Sequence, residues 1–177
     1  MTAYKELYPK LLIVGAGDLG QAIAEQVIAA GLYQQVAFLD DHPDDEKQQQ
    51  APIIGRIQDI ELFHSEFTHA IAAIGNNQTR QTVRDYIKAA GYIEPTIIHP
   101  SAVISPTATV GAGSIIREQV VLSRKVQIGE GVLLNIGVSI DHNCIIGDNT
   151  HIPMGAIFRN NVNIAALSVF QPGAVIE

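Results

Sequence analysis

The sequence predicts an α/β domain followed by a triangular parallel β-solenoid, and three observations carry that prediction. A six-residue apolar period fills the second half, glycines recur there every 18 residues, and the first half alternates apolar strands with helical segments around a glycine-rich turn. The pattern changes near residue 96, which divides the 177 residues into domains at 1–95 and 96–177.

From Ile98 to Ile176 every sixth residue is Ile, Leu, Val or Phe, without a polar interruption. Four residues after each comes a small or β-branched residue, from Ala102 through Val120, Val138 and Cys144 to Ala174. A helix drifts off such a period, whereas a prism with one flat side per hexad holds it. The large residue fills the interior, worth roughly 1.5–3 kcal/mol per buried side chain, and the small one lets the chain turn the corner. Three hexads make an 18-residue coil, a spacing that Gly111, Gly129 and Gly147 obey. Coils of this kind stabilise one another as stacked neighbours.

Bulk properties exclude several classes. A net charge of −7 argues against nucleic acid and anionic membrane surfaces as partners. The single cysteine rules out an internal disulfide framework, and without CxxC or HExxH spacing no metal is expected. No apolar run reaches about 18 residues, and MTAYKELYPK does not read as a signal peptide. A cytoplasmic protein without membrane insertion is expected.

In the first half, Leu11–Gly15, Val36–Asp40 and His69–Gly75 read as strands, and Asp18–Ala30 and Gln78–Ala90 as helices. Gly15-Ala16-Gly17-Asp18-Leu19-Gly20 is a complete GxGxxG between a strand and a helix. Glycines there serve either close packing or the approach of a phosphate to backbone N–H groups. Asp40 ends the next strand, where a carboxylate could accept hydrogen bonds from ribose or base. Gly75-Asn76-Asn77 follows another strand, at the end of the sheet where open α/β folds bind ligands, and equally reads as a helix-capping turn. Fewer than about 90 residues precede the hexads, room for a mononucleotide-binding half. The acidic tract Asp40, Asp41, Asp44, Asp45 and Glu46 reads as a solvated loop, except for Asp40 and Asp41.

Hexad phase sorts the residues that could do chemistry on the solenoid. His142 and His151 fall between the two inward registers and must point outward, whereas Cys144 falls within one and is expected to be an inert buried thiol. His142 lies between Asp141 and Asn143. It reads either as a surface histidine or as a general base oriented by the adjacent carboxylate. Asn135, seven residues earlier, could orient an acceptor or cap a turn.

Together, LIVGAGDLGQAIAEQV, FLDD, AIGNNQTR, IIHPSAVISPTA and LLNIGVSIDHNCIIGDNTHIPMGA resemble the bacterial sugar O- and N-acetyltransferases of the hexapeptide-repeat superfamily. These include sialic acid O-acetyltransferase-like proteins and enzymes that acetylate UDP-4-amino-sugars, and the resemblance spans nearly the whole chain. It implies a left-handed β-helix behind a Rossmann-like domain, and a homotrimer with active sites between subunits. It also implies direct attack of a sugar amine or hydroxyl on acetyl-CoA, for surface glycan synthesis. Carried over, His142 is the general base flanked by Asp141 and Asn143, and Asn135 meets the acceptor. His151 and Gly155 lie on the acetyl-CoA side, with a backbone N–H near Gly155 facing the thioester oxygen. Gly15, Gly17, Asp18, Leu19, Asp40, Asp41, Gly75 and Asn76 hold the uridine nucleotide.

The chain departs from the family at three places. Asp18 and Leu19 stand where members often carry Gly-His, and Asn143 stands where an acidic residue tends to follow the histidine, so Asp141 would orient the base from the other side. Family chains run on for roughly two further coils, so a solenoid short at its C-terminal side is expected. The competing expectations are a non-catalytic trimeric binder of nucleotide sugars and an NAD(P)-dependent oxidoreductase.

Overall fold

The computed structural model describes residues 8–42 and 50–177. The expectations for Asp44, Asp45 and Glu46, and for most of the segment MTAYKELYPK, lie outside the described residues. The chain divides into two compact units, Met1–Ile74 with Thr82–Pro95, and Gly75–Gln81 with Thr96–Glu177. Among the described residues no helix is long and apolar enough to cross a membrane.

The first unit is built on a parallel sheet. Strands β1 (Lys10–Val14), β2 (Gln35–Leu39), β3 (Ile53–Gly55) and β4 (His69–Ala72) lie in the order β3-β2-β1-β4. Helix α1 (Asp18–Ala29) follows β1, and α2 (Asn77–Ala89) follows β4. The run Leu11–Val14 is apolar throughout because both sheet faces are covered, the usual condition of a parallel sheet. Leu12 and Val14 pack with Ile60, Val83 and Ile87, while α1 buries Ile23, Ala24 and Val27. The three-residue β3 and the 3₁₀ helix Ile57–Phe63 carry no period to announce them, and the sequence reading omits both.

In the second unit, two-residue strands recur every six residues from Ile97–Ile98 to Asn163–Ile164, and after an isolated bridge at Val169 a last one follows at Val175–Ile176. They pair in parallel every third strand, giving three sheets and the expected 18-residue coil, as in Gln127 against Thr109 and Ile145. This is the left-handed parallel β-helix of hexapeptide repeats. Both apolar registers point inward: Val120, Leu122, Val126, Val132, Leu134, Val138, Ile140 and Cys144 form one core. Ile98 departs from this, at 41% exposed, because its strand pairs on one side alone. The glycines at 18-residue spacing mark places where stacked backbones nearly touch. A Cβ on Gly111 would lie 2.6 Å from the carbonyl of Gly129.

A third register was not anticipated. Every sixth residue from Gly113 to Gly173 has φ between 54° and 71°: Gly113, Gln119, Lys125, Gly131, Gly137, Asn143, Asn149, Gly155, Asn161, Leu167 and Gly173. These residues turn the corners in the left-handed conformation that Gly and Asn adopt at least cost. From Gly131 onward each donates its N–H to a carbonyl 19 residues back, as Gly137 does to Glu118 at 2.9 Å. The corner thus both bends the chain and ties it to the previous coil.

A Cβ at Gly137 would meet no atom within 4 Å, so a substitution there isolates backbone strain. Gly137→Val is expected to lower stability by about 1–2 kcal/mol. Lys125→Gly, at an equivalent corner with φ 59°, is expected to be neutral or stabilising. Urea denaturation midpoints measure both.

Candidate active site

In the first unit the glycine-rich turn is held from three sides. Gly15, at φ 107°, donates its N–H to the Leu39 carbonyl at 2.9 Å, and a Cβ there would lie 2.8 Å from the carbonyl oxygen of Ala73. A Cβ on Gly20 would overlap the Gly15 carbonyl oxygen, so close packing demands both glycines. Gly17 differs: it begins α1, is exposed, and has open space where a Cβ would stand. Asp18 and Leu19 lie in the first turn of α1, at the positive end of the helix dipole. That end of α1 can receive an anion.

The two aspartates of FLDD do different things. Asp40 accepts from Ala16 N and from His42 N, both at 2.7 Å, so its carboxylate shapes the glycine turn itself. Asp41 accepts from Ile57 N at 3.0 Å and lines a cavity of about 410 Å³ with Ile57, Gln58, Ile60, Glu61 and Tyr86. This apolar-walled cavity with carboxylates at its edge suits a flat ring with N–H donors. Sequence reasoning missed it because its walls come from the 3₁₀ helix and from the outer face of α2.

In the second unit, the loop before α2 meets the solenoid. Asn76 caps α2 by accepting from Thr79 N at 3.0 Å, the capping alternative of the sequence reading. Arg80 is fully buried, donating to Gly131 O at 2.9 Å, Asn149 O at 2.7 Å, Gly75 O at 3.1 Å and Asn77 Oδ1 at 3.0 Å. Asn77 in turn donates to Leu167 O at 3.1 Å and Ser168 O at 2.9 Å.

His151 Nδ1 lies 3.1 Å from the same Gly75 carbonyl. A carbonyl only accepts, so Nδ1 carries the proton and Nε2 presents a lone pair. That Nε2 is the buried side-chain polar atom left without a partner among the described residues. Burial first, and the Arg80 charge second, hold the imidazole below its ordinary pKa, which keeps it neutral near pH 7. His151, Gly75, Asn76, Asn77, Pro153 and Phe170 line a cavity of about 350 Å³. An acceptor in such a place suits a ligand N–H or O–H.

His142 lies at a corner, outside the core, with Asn143 next to it in the left-handed conformation. Asp141 does not reach the imidazole: its carboxylate accepts from the backbone N of His142 at 2.7 Å. The ring is met by Asn143, whose Nδ2 lies 3.0 Å from His142 Nδ1. Asn135 accepts from Ile136 N at 2.8 Å through its Oδ1, which leaves its NH₂ as the end able to serve a substrate. The N–H of Gly155 is committed to Ile136 O at 3.0 Å, so that group is not a spare donor for a thioester oxygen. Cys144 is fully buried, and burial raises its thiol pKa, as an inert thiol requires. Among the described residues no cluster of three or more His, Cys, Asp or Glu could hold a metal ion.

The chain matches the PglD N-terminal domain family over residues 10–87 and the bacterial transferase hexapeptide family over residues 125–160. It is similar to the acetyltransferase domain of PglB from Neisseria gonorrhoeae, at 28% identity and TM-score 0.81, over 96% of this chain and 91% of that one. The same domain in complex with acetyl coenzyme A matches at 28% identity and TM-score 0.77, over 96% of this chain and 93% of that one. A histidine variant of GDP-perosamine N-acetyltransferase from Caulobacter crescentus, in complex with CoA and GDP-perosamine, matches at 25% identity and TM-score 0.80. That match covers 87% of this chain and 73% of that one.

The depressed His151 pKa has a consequence for stability. The unfolded chain protonates this group first, from about its ordinary value of 6.5, so the stability gained by keeping it neutral is complete above that pH and falls as the pH drops through it towards the lower folded value. The urea midpoint is therefore expected to decrease below about pH 6.5, and His151→Gln is expected to flatten that decrease. Equal slopes in the two proteins would contradict it.

Proposed function

We propose that the chain transfers acetyl from acetyl-CoA to an amine or hydroxyl of a UDP-linked sugar, with His142 as general base, in surface glycan synthesis, a reading supported by its likeness to sugar acetyltransferases of the hexapeptide-repeat superfamily. The observation that carries the two-substrate reading is the buried, unpartnered Nε2 of His151, which a ligand donor would satisfy. An amide N–H of the pantetheine arm has that chemistry, and the Neisseria domain is one that binds acetyl coenzyme A.

In the proposed reaction the acceptor nitrogen or oxygen attacks the thioester carbonyl carbon while His142 Nε2 removes its proton. The tetrahedral intermediate then expels CoA thiolate, which takes the proton back from the imidazolium. No acyl-enzyme forms, and the gain comes from orientation of two bound substrates. The Asn135 NH₂ would orient the acceptor. In the first unit, the cavity beside Asp41 would take the nucleobase, and the start of α1 at Gly17, Asp18 and Leu19 would take the diphosphate. Gly15 and Asp40 would act by holding the shape of that turn. Uridine is the proposed base; the GDP sugar of the Caulobacter protein makes guanosine the competitor to measure beside it.

The homotrimer of the sequence reading is supported by one solenoid face, where Val103, Val121, Ile157 and Val175 are 40–63% exposed along a single ladder. Asp141 lines a groove on that face with Val121, Ser139 and Ile157. Covering the ladder with another copy would bring the turn at Asp141 and His142 to an intersubunit site.

A thiol assay for released CoA, with a UDP-4-amino-sugar as acceptor, tests the proposal. His142→Ala is expected to lose about 100-fold or more in turnover while calorimetric UDP affinity stays within about twofold. Full turnover in the variant would remove His142 from the mechanism, and tighter binding of GDP than UDP would replace the nucleotide.

A further inference from the structure

The turn that carries His142 meets the next coil at Asn161. Asn161, 18 residues beyond Asn143 and at the equivalent corner, donates its backbone N–H to the His142 carbonyl at 3.0 Å. Its side-chain Oδ1 accepts from Asn143 Nδ2 at 3.2 Å. The backbone alone explains a residue tolerant of positive φ at both corners, with φ 60° at Asn143 and 64° at Asn161. It does not explain two stacked amides, since glycine serves the corners at Gly137, Gly155 and Gly173.

The same terminal atom of Asn143 faces both His142 Nδ1 and Asn161. An amide NH₂ only donates and an amide oxygen only accepts, so the three groups have two self-consistent arrangements. In the observed one, the Asn143 nitrogen donates to Nδ1 and to the Asn161 oxygen, which leaves the imidazole proton on Nε2. With both amides turned over, the Asn143 oxygen accepts from Nδ1–H and from the Asn161 NH₂, and Nε2 becomes a lone pair. Proton removal by Nε2 produces an imidazolium with hydrogens on both nitrogens. An NH₂ facing Nδ1–H opposes that product, and an amide oxygen stabilises it.

We infer that Asn161 is a positioning residue for acetyl transfer: through the Asn143 amide, it sets which ring nitrogen of His142 carries the proton. The inference rests on the reading of His142 as general base. Asn143 takes over at this ring the place expected of Asp141, and Asn161 governs which way Asn143 turns.

Asn161→Asp tests this directly, because a carboxylate only accepts and so holds the Asn143 NH₂ towards itself. Aspartate also tolerates the corner conformation. The ¹⁵N shifts of the imidazole in histidine-labelled protein, assigned by their loss in His142→Ala, report the tautomer. Asn161→Asp is expected to pin neutral His142 in the Nε2–H form of the observed arrangement, removing the Nδ1–H form that is reached when both amides turn over, and to lower kcat about tenfold or more. The KM for acetyl-CoA is expected to stay within about twofold, a split that a merely structural role would not produce. Asn161→Gly, which keeps the corner and adds no charge, is expected to give an intermediate loss. An Nδ1–H fraction of neutral His142 in Asn161→Asp equal to that of the unaltered protein overturns the inference. A shifted tautomer with unchanged kcat upholds the coupling and instead overturns His142 as the base.

Discussion

The left-handed corner residue repeated every six positions is the constraint on which the solenoid depends. It lies between successive two-residue strands, turns the chain, and from Gly131 onward donates its N–H to the coil before it, as Asn149 does to Glu130 at 2.8 Å. Once that geometry is set, inward and outward positions are no longer free. Leu134, Val138 and Ile140 must enter the core, and His142 and His151 must leave it. A rigid frame of this kind suits a reaction whose acceleration comes from orienting two substrates, since a side chain on a corner inherits the position of the coils on either side.

Arg80 gives the second cavity its electrostatic character. Its guanidinium is fully buried, with carbonyl oxygens of Gly75, Gly131 and Asn149 around it. Such a charge is tolerated because its donors are satisfied in a fixed planar fork. It shares the Gly75 carbonyl with His151, fixing one ring nitrogen as donor while its charge disfavours protonation of the other. A neutral, oriented imidazole follows from the packing of one helix turn.

How much of this was legible depended on whether a residue's role was set by period or by tertiary partners. The two inward registers were legible because burial imposes chemistry on every sixth residue, and Cys144 could be placed by phase alone. The corner register was hidden because Gln119, Lys125 and Leu167 occupy it along with Gly and Asn, the backbone of the stack overriding local preference at those positions. The roles of Asp40, Asp41 and Asp141 could not be told apart in sequence. Each is an exposed-looking carboxylate next to a motif, and its partner is a backbone N–H of Ala16, Ile57 or His142 that only the fold brings near. Nothing local marks Arg80 in the sequence, because the four acceptors that converge on it come together only in the fold.

The proposed reaction is a single direct transfer between an acceptor and a thioester aligned on the scaffold. Rapid quenching of the protein after mixing with acetyl-labelled acetyl-CoA, first alone and then with the amino-sugar nucleotide, measures this most directly. Direct transfer predicts no label on protein and no CoA release until the acceptor is present, after which label moves to the sugar nucleotide in step with CoA. A stoichiometric burst of CoA with label retained on the protein before acceptor is added would contradict it.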